Sequence, residues 1–306
     1  MQRYWFKFIM TEPSLNYVRC PDTSGGHRMA YWQWGNPQAG HVLVCVHGLT
    51  RQGRDFDVLA QALCARVGNT LRVVCPDVVG RGKSDWLKDP NGYQIPAYAA
   101  DMLALLAQLK PVTLDWLGTS MGGLIGIALY GQVDLPLPVR RLVLNDVGPV
   151  IEWKSLQRIG QYLGHTGKFA SVQQAADALW TIASSFGPHT PAQWLALTRP
   201  MLKPLGDAAG SLTLHYDPAI AVPFRAVNTE SAVEGEALLW QFYDHITART
   251  LLIRGQESDL LSRQTALAMT QRGPRAQLEE FAGVGHAPTF IADDQVQTVA
   301  SFLLEI

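Results

Sequence analysis

A serine at position 120 lies between two glycines in a short segment, residues 118–122 with the sequence GTSMG. The apolar residues 112–117 before it have the pattern of a buried strand, and the apolar residues 124–130 after it fit a helix. A serine in such a tight turn has a strained backbone that only small neighbours permit, and its hydroxyl projects beyond the sheet edge. The chemistry predicted for Ser120 is nucleophilic attack.

Two backbone amides are candidates for stabilising the negative charge that such an attack creates. The apolar residues 42–46 predict a strand that leads directly into His47, Gly48 and Leu49, and an N–H just past such a strand can face a developing oxyanion. Met121 begins the following helix, so its N–H has no partner within that helix. We therefore predict an oxyanion hole formed by the backbone N–H groups of Leu49 and Met121.

An acid and a histidine follow two later apolar strands. Residues 251–254 lead to a loop that contains Asp259, and residues 277–281 lead to a turn that contains His286. A serine hydroxyl is a poor nucleophile near neutral pH, a histidine titrates in the useful range, and an ionised carboxylate can fix the histidine tautomer. The chain order is then serine, acid, histidine.

Four short motifs in this order make the chain resemble the α/β-hydrolase superfamily from about residue 16 to residue 306. They are the His-Gly turn at residues 47–48, the segment DVVGRGKS at residues 77–84, the turn around Ser120, and the pair Asp259 and His286. By this resemblance Ser120 is the nucleophile, His286 is the general base and then the general acid, and Asp259 orients and stabilises the imidazolium.

A second acid, Asp146, competes with Asp259 for the third catalytic position. Asp146 ends the strand around Val143 and can reach the same histidine from that strand, as happens in some members of the superfamily. We favour Asp259, because Gly255 and Ser258 give its loop the turn chemistry that aims a carboxylate. For Asp146, which precedes a Gly-Pro pair, a structural role is the alternative.

Strands and helices alternate along most of the chain, as in a mostly parallel sheet that is covered on both faces. We expect two antiparallel leading strands, residues 16–20 and 29–34, and strands near Leu43, Val73, Leu114, Val143, Leu252 and Leu278. Helices are predicted over residues 55–67, 95–109, 121–130, 263–271 and 293–305. The predicted fold is α/β, with a mostly parallel twisted sheet of about eight strands flanked by helices.

The alternation stops at about residue 150 and resumes only near residue 251, and an insertion of this length in a compact domain usually has a function. We predict a mainly helical cap over residues 150–237 between two parts of the core, residues 16–149 and 238–306, with an N-terminal extension at residues 1–15. The cap aromatics are expected to form its core and to line an apolar acyl or alcohol pocket. Candidate pocket residues are Arg51, Trp153 and Tyr216, with an ion-paired role as the alternative for Arg51.

Net charge and residue composition limit the kinds of molecule that the protein is expected to bind. The net charge is −1 and basic residues form no run, so we expect no nucleic-acid or membrane partner, and we expect a small-molecule substrate. The cysteines Cys20, Cys45, Cys64 and Cys75 form no CxxC pattern and are predicted to be free thiols, which together with the absence of a convincing signal peptide predicts a cytoplasmic protein. The chain is expected to be a monomer or a homodimer.

Neither a metal nor a cofactor is predicted. The histidines show no HExxH or similar spacing, and the glycines of residues 80–82 lack the register of a phosphate-binding loop. We interpret residues 80–82 as a turn at the rim of the site, and His47 as a structural histidine behind the oxyanion donor.

The resemblance also limits the classes of reaction that this chain is expected to catalyse. Haloalkane dehalogenases and epoxide hydrolases of this superfamily place Asp where this chain has Ser120. The C–C bond hydrolases of aromatic breakdown share the Ser-Met-Gly-Gly run of residues 120–123, but they typically have Asn at the position of Thr119 and Trp at that of Ala287. We therefore predict hydrolysis of a carboxylic ester, thioester or lactone, with the C–C hydrolases second and a non-catalytic ligand-binding protein as the alternative from another class.

Overall fold

The computed structural model of the chain describes residues 12–132 and 138–305. Its strands are β1 (Ser14–Cys20), β2 (His27–Gly35), β3 (His41–Val46), β4 (Leu71–Pro76), β5 (Thr113–Thr119), β6 (Arg141–Asn145), β7 (Leu202–Pro204), β8 (Leu212–Leu214), β9 (Arg249–Gly255) and β10 (Gln277–Phe281). Its α-helices are α1 (Asp57–Val67), α2 (Ile95–Leu109), α3 (Met121–Tyr130), α4 (Trp153–Tyr162), α5 (Val172–Ala183), α6 (Pro191–Thr198), α7 (Ala221–Arg225), α8 (Thr229–His245), α9 (Arg263–Gln271) and α10 (Asp293–Leu304).

Eight strands form one sheet in the order β1, β2, β4, β3, β5, β6, β9, β10. Strand β2 runs antiparallel to both of its neighbours, β1 and β4. The other neighbouring strands of this sheet, β4, β3, β5, β6, β9 and β10, all run parallel to one another. This is the predicted α/β fold with an eight-stranded, mostly parallel sheet. The carboxyl ends of β3, β5, β6 and β9 therefore meet at one edge, which is where parallel α/β sheets place their ligands.

The two faces of the sheet are covered by different helices, and the strands show the expected alternation. In β3, Val42 and Val44 face one buried cluster, which also contains Trp116 of β5, whereas Leu43 faces a second cluster that contains Leu59 of α1. All five of these side chains are almost completely buried. A strand that is buried on both faces appears in the sequence as a continuous apolar run, and this is why these strands were visible in the sequence.

Three helices, α2, α3 and α9, have the bounds that the sequence predicts. The first predicted helix begins later than expected, because residues 53–56 form a short 3-10 turn ahead of α1. The last one ends at Leu304, where Glu305 adopts a left-handed conformation with φ of 58° and so cannot continue the helix. The N-terminal strand β1 starts at Ser14, inside the predicted extension, while residues 1–11 lie outside the described residues.

Helices α4 to α7 and the two-stranded sheet of β7 and β8 follow β6 and occupy most of the predicted cap. This part is attached to the loop after β4 by backbone hydrogen bonds: Gly82 donates to the His215 carbonyl at 2.9 Å, and Asp217 donates to the Gly80 carbonyl at 2.7 Å. The hydroxyl of Tyr93 also donates to Asp217, at 2.5 Å. The predicted cap boundary at residue 237 falls inside α8, which continues without interruption.

The cysteines are all free, and three of them, Cys20, Cys45 and Cys75, are buried. Burial and the nearby Asp101 raise the pKa of the Cys20 thiol well above its usual range, so this group stays protonated. Across residues 12–132 and 138–305, no helix combines the length and the apolar character that crossing a bilayer requires.

Candidate active site

Ser120 lies at the apex of the turn between β5 and α3, with φ of 52° and ψ of −115°. This strained conformation needs small neighbours. A Cβ on Gly118 would lie 2.2 Å from the carbonyl oxygen of Gly122, and a Cβ on Gly122 would lie 2.1 Å from that of Val46. Both glycines are thus required by sterics, as the sequence predicts, and they allow the serine hydroxyl to project from the sheet edge.

The hydroxyl of Ser120 faces a histidine and, behind it, a carboxylate. Nε2 of His286 lies 3.0 Å from Oγ of Ser120, and Nδ1 of His286 lies 2.7 Å from Oδ2 of Asp146. The carboxylate of Asp146 is completely buried, whereas the imidazole remains partly accessible. An imidazole that donates from Nδ1 to a carboxylate has its Nε2 lone pair available to accept the serine proton.

The preference for Asp259 as the acid partner of His286 is corrected by this geometry. The carboxylate of Asp259 is half exposed and pairs with Arg158 of α4 at 2.8 Å. The acid beside His286 is Asp146, which follows β6 with a left-handed φ of 55°. Strand β6 lies next to β9 in the sheet, so a residue just past its end can reach the histidine loop.

The loop after β9 contributes to the site in a different way. The N–H of Gly255 donates to Oδ1 of Asp146 at 2.9 Å, and the hydroxyl of Ser258 donates to Oδ2 of the same carboxylate at 2.6 Å. Gly255 and Ser258, which in the sequence favoured Asp259 as the acid, therefore bind the carboxylate of Asp146, which follows the neighbouring strand.

The two predicted oxyanion donors lie in the turns that follow β3 and β5, which are neighbouring strands of the sheet. Within the described residues, neither the N–H of Leu49 nor that of Met121 donates to a protein acceptor. His47 connects the Leu49 turn to the loop after β4: its Nδ1 donates to the Gly48 carbonyl at 2.7 Å, and its Nε2 accepts from the Val78 N–H at 2.9 Å. Burial lowers the pKa of His47 to about 3, so this imidazole stays neutral and connects the two loops through its hydrogen bonds.

Comparison with known proteins bears on the family and the fold. The profile of the alpha/beta hydrolase family matches residues 43–301. This chain belongs to the alpha/beta hydrolase family. The hydrolase is 49% identical to 3-hydroxybutyrate-oligomer hydrolase of Cupriavidus necator over 296 residues, which cover 96% of this chain and 99% of that protein.

Two further similarities bear on the fold and on the chemistry. An alpha/beta hydrolase from Novosphingobium aromaticivorans with a solved structure is 31% identical, with a TM-score of 0.81 and coverage of 97% of this chain and 100% of the other. The 2-hydroxymuconate semialdehyde hydrolase of a Pseudomonas species is 26% identical over 254 residues, 81% of each protein. The chain is thus a hydrolase with this fold.

A small cavity in the hydrolase is lined by Thr119 and Ala287, the sequence neighbours of Ser120 and His286. Among the residues that line it are Arg51, Thr119, Phe186, Leu197, Ala287 and Phe290. Of the three predicted pocket residues only Arg51 lines this cavity, and its guanidinium pairs with Asp55 through two hydrogen bonds of 2.6 and 2.7 Å. Arg51 therefore lines the cavity and is ion-paired at the same time, and its role in binding a substrate stays a prediction.

The other two predicted pocket residues lie elsewhere. Tyr216 is buried, and its hydroxyl accepts from the Gly164 N–H and donates to the His165 carbonyl, both within the inserted region. Trp153 is the first residue of α4 and is partly exposed. Neither of them lines the cavity that contains Thr119 and Ala287 in its wall.

One group of metal-ligand side chains comes together in the described part of the hydrolase, although the histidine spacing did not indicate it. Ligand atoms of Cys20, His27 and Asp101 lie within 4.8 Å of one another. Nδ1 of His27 lies 3.0 Å from Oδ2 of Asp22, and Nε2 lies 2.9 Å from Oδ2 of Asp101. Both ring nitrogens are occupied by carboxylates, so the group is a charged hydrogen-bond network, and the absence of a metal stays a prediction.

Proposed function

We propose that this α/β hydrolase cleaves carboxylic esters through an acyl-enzyme formed on Ser120. The observation that carries the proposal is the position of His286, whose two nitrogens lie 3.0 Å from the hydroxyl of Ser120 and 2.7 Å from the carboxylate of Asp146. The base is thus within hydrogen-bond distance of both the nucleophile and the residue that orients the base.

In the first half of the reaction, Oγ of Ser120 attacks the ester carbonyl carbon and its proton passes to Nε2 of His286. The carbonyl oxygen becomes an oxyanion that accepts hydrogen bonds from the N–H groups of Leu49 and Met121. His286 then gives the proton to the alcohol oxygen, the C–O bond breaks, and the alcohol leaves. The acyl group remains esterified to Ser120.

In the second half, a water molecule attacks the acyl carbon while His286 accepts one of its protons. The tetrahedral intermediate collapses, Oγ of Ser120 leaves and regains a proton from His286, and the carboxylic acid is released. Asp146 accepts the Nδ1–H of His286 throughout, which keeps Nε2 directed at the reacting atoms.

For the substrate, we propose short esters of 3-hydroxy acids. The support is the 49% identity to 3-hydroxybutyrate-oligomer hydrolase, which extends over almost the full length of both chains. The C–C bond hydrolysis named for the Pseudomonas relative is the second candidate. It is less favoured because that relative is only 26% identical, and because Thr119 and Ala287 stand where C–C hydrolases typically have Asn and Trp.

The test compares three substrate types on the purified protein: the dimer and trimer of 3-hydroxybutyrate, p-nitrophenyl butyrate, and a 2-hydroxy-6-oxo-dienoate. We expect turnover of the hydroxy-acid esters and of p-nitrophenyl butyrate, and stoichiometric labelling of Ser120 by a fluorophosphonate. Turnover of the dienoate alone would replace the proposal with C–C hydrolysis. A protein that neither turns over any of these compounds nor takes the label would be a binding protein.

A further inference from the structure

Arg81, in the loop after β4, is a completely buried cation. Its Nη1 donates to the Val79 carbonyl at 2.8 Å and to the Tyr98 hydroxyl at 3.0 Å, and its Nε donates to the Leu49 carbonyl at 2.9 Å. No carboxylate of the described residues lies within 4.0 Å of this guanidinium. Among the described residues, its hydrogen-bond partners are neutral groups, and it forms no salt bridge with any of them.

Such an arrangement is energetically unfavourable unless something compensates for it. Removing an ion from water costs several kcal/mol even after relaxation of the protein, and buried charges are normally paired. The rings of Tyr98 and Tyr93, whose centres lie 4.9 and 5.9 Å from Cζ of Arg81, offset part of this cost through cation–π attraction. A negative charge that forms nearby during a reaction would add to this compensation.

The surroundings of the guanidinium indicate where that charge forms. Arg81 contacts both residues whose N–H groups are the oxyanion donors: Nε holds the Leu49 carbonyl, and Nη2 lies 3.4 Å from the sulfur of Met121. The Leu49 hydrogen bond fixes the turn that presents the Leu49 N–H. The same guanidinium places a buried positive charge against the two residues that carry the predicted oxyanion donors.

The backbone on both sides of Arg81 turns sharply, and the Arg81 side chain is buried. Gly80 and Gly82 on either side have left-handed φ values of 83° and 52°. A Cβ on Gly82 would lie 2.2 Å from the carboxylate of Asp77, so this position is closed to other residues. The glycines that superficially suggest a phosphate loop in the sequence thus turn the chain so that Arg81 points at the site.

We propose that Arg81 is a positioning residue of the oxyanion hole, which orders the Leu49 turn and supplies the positive potential that favours the tetrahedral oxyanion over the neutral ester. This inference rests on the proposed ester hydrolysis. Because a neutral ester carries no full charge in the ground state, Arg81 is expected to affect kcat and the binding of anionic transition-state analogues, but not KM.

The experiment uses Arg81→Met and Arg81→Lys with p-nitrophenyl butyrate and with an alkyl boronic acid, whose adduct with Ser120 is a tetrahedral anion. For Arg81→Met we expect kcat to fall by about 30- to 100-fold, KM to stay within about threefold, and boronate affinity to fall by the same factor as kcat. Arg81→Lys keeps the charge but not the fork of donors, so we expect a loss of about tenfold in kcat. If the Met variant does not fold, the Lys variant provides the test.

Two variants serve as controls. Arg141→Met removes another buried arginine, which lies at the opposite end of β6 from Asp146 and donates to the Leu303 carbonyl. It should lower the melting temperature and leave kcat of the folded protein unchanged. Tyr98→Phe removes one hydrogen bond from Arg81 and keeps its charge, and we expect kcat within about threefold of wild type.

Several results would overturn the inference. One is a folded Arg81→Met protein with wild-type kcat, and another is a fall in kcat without a matching loss of boronate affinity. A rise in KM that is confined to an ester with a free carboxylate would make Arg81 a substrate-carboxylate ligand instead. A wild-type protein that hydrolyses no ester and takes no fluorophosphonate would contradict the proposed function itself, which is a distinguishable outcome.

Discussion

Asp146 and His286 lie 140 positions apart in the chain, yet Oδ2 of the one is 2.7 Å from Nδ1 of the other. The contact exists because β6 and β9 are neighbours in the sheet and because Asp146 turns into a left-handed conformation just past the end of β6. The N–H of Asp146 is fixed as well, by donating to the Ile253 carbonyl of β9 at 2.8 Å. Backbone and side chain of this acid are therefore both held by the strand next to its own.

The first prediction concerns the nucleophile and its base. Ser120→Ala should reduce kcat on the best ester by about 10⁴- to 10⁶-fold, and His286→Ala should be comparably damaging, because the residues act as a unit. The measurement is steady-state turnover of p-nitrophenyl butyrate. Ser262→Ala is a matched control, because it removes only the N-cap hydroxyl of α9. More than a tenth of wild-type activity in Ser120→Ala would contradict the assignment.

The second prediction separates the two acids. Asp146→Asn should lower kcat by about 10⁴-fold, since an amide no longer selects the tautomer that leaves Nε2 free to accept a proton. Asp259→Asn should leave turnover nearly unchanged and should cost less than about 1 kcal/mol in stability, because it loses only an exposed ion pair with Arg158. Both variants are compared on one substrate, and the reverse order of activities would restore Asp259 as the acid.

The third prediction concerns Ser258, whose hydroxyl donates to Asp146. Ser258→Ala removes this hydrogen bond and the two that the hydroxyl accepts from the Leu260 and Leu261 N–H groups, and it leaves the His286 contact in place. We expect kcat to fall by about tenfold, close to the effect of losing one hydrogen bond to a charged group. KM should not change. Ser258→Thr keeps the hydroxyl and should recover most of the loss, whereas equal defects in both variants would mean that only the shape of the loop matters.

The fourth prediction is a pH dependence of stability that is remote from the site. Burial lowers the pKa of His27, but the carboxylates of Asp101 and Asp22 outweigh burial and raise it above its usual value. A raised folded-state pKa of a histidine stabilises the protein fully below its unfolded pKa of about 6.5, and this contribution is lost as the pH rises through the folded value. The neighbouring Cys20 thiol stays protonated and does not titrate in this range.

The measurement is the free energy of unfolding in urea for wild type and His27→Gln, at pH 5.5 and at pH 8.5. We expect the advantage of wild type to be larger at pH 5.5. His245→Gln, which changes an exposed histidine at the end of α8, is the control and should show no such difference. An advantage of wild type that grows towards pH 8.5 would mean that His27 is held neutral.

The sheet and its flanking helices could be predicted from the sequence because their signals are local. A buried parallel strand is a run of apolar residues, as in β3, and the amphipathic segments between the strands indicate helices. The steric requirement at Ser120 is also local, since Gly118 and Gly122 stand beside it. These features depend on a few consecutive residues and need no knowledge of which strands are neighbours.

The acid could not be predicted in this way, because the choice depends on strand order and on one backbone angle. Turn residues after β9 do mark a site, but Gly255 and Ser258 bind the carboxylate of Asp146 rather than present that of Asp259. The direction of the Arg81 side chain could not be predicted from the sequence either. A single arginine between two glycines looks like an exposed turn residue, and its burial depends on contacts with Leu49, Tyr98 and Met121, which are distant in the sequence.

The bridge between Arg81 and Tyr216 joins the oxyanion side of the molecule to the inserted region through the backbone itself. Two events that share one structural element share free energy, and the exchange is reciprocal. If Arg81 acts as proposed, an anion that binds at the Leu49 and Met121 N–H groups is expected to stabilise the segment around β8 as well. A substitution in that segment is then expected to change both the choice of substrate and the turnover of the proposed ester hydrolysis.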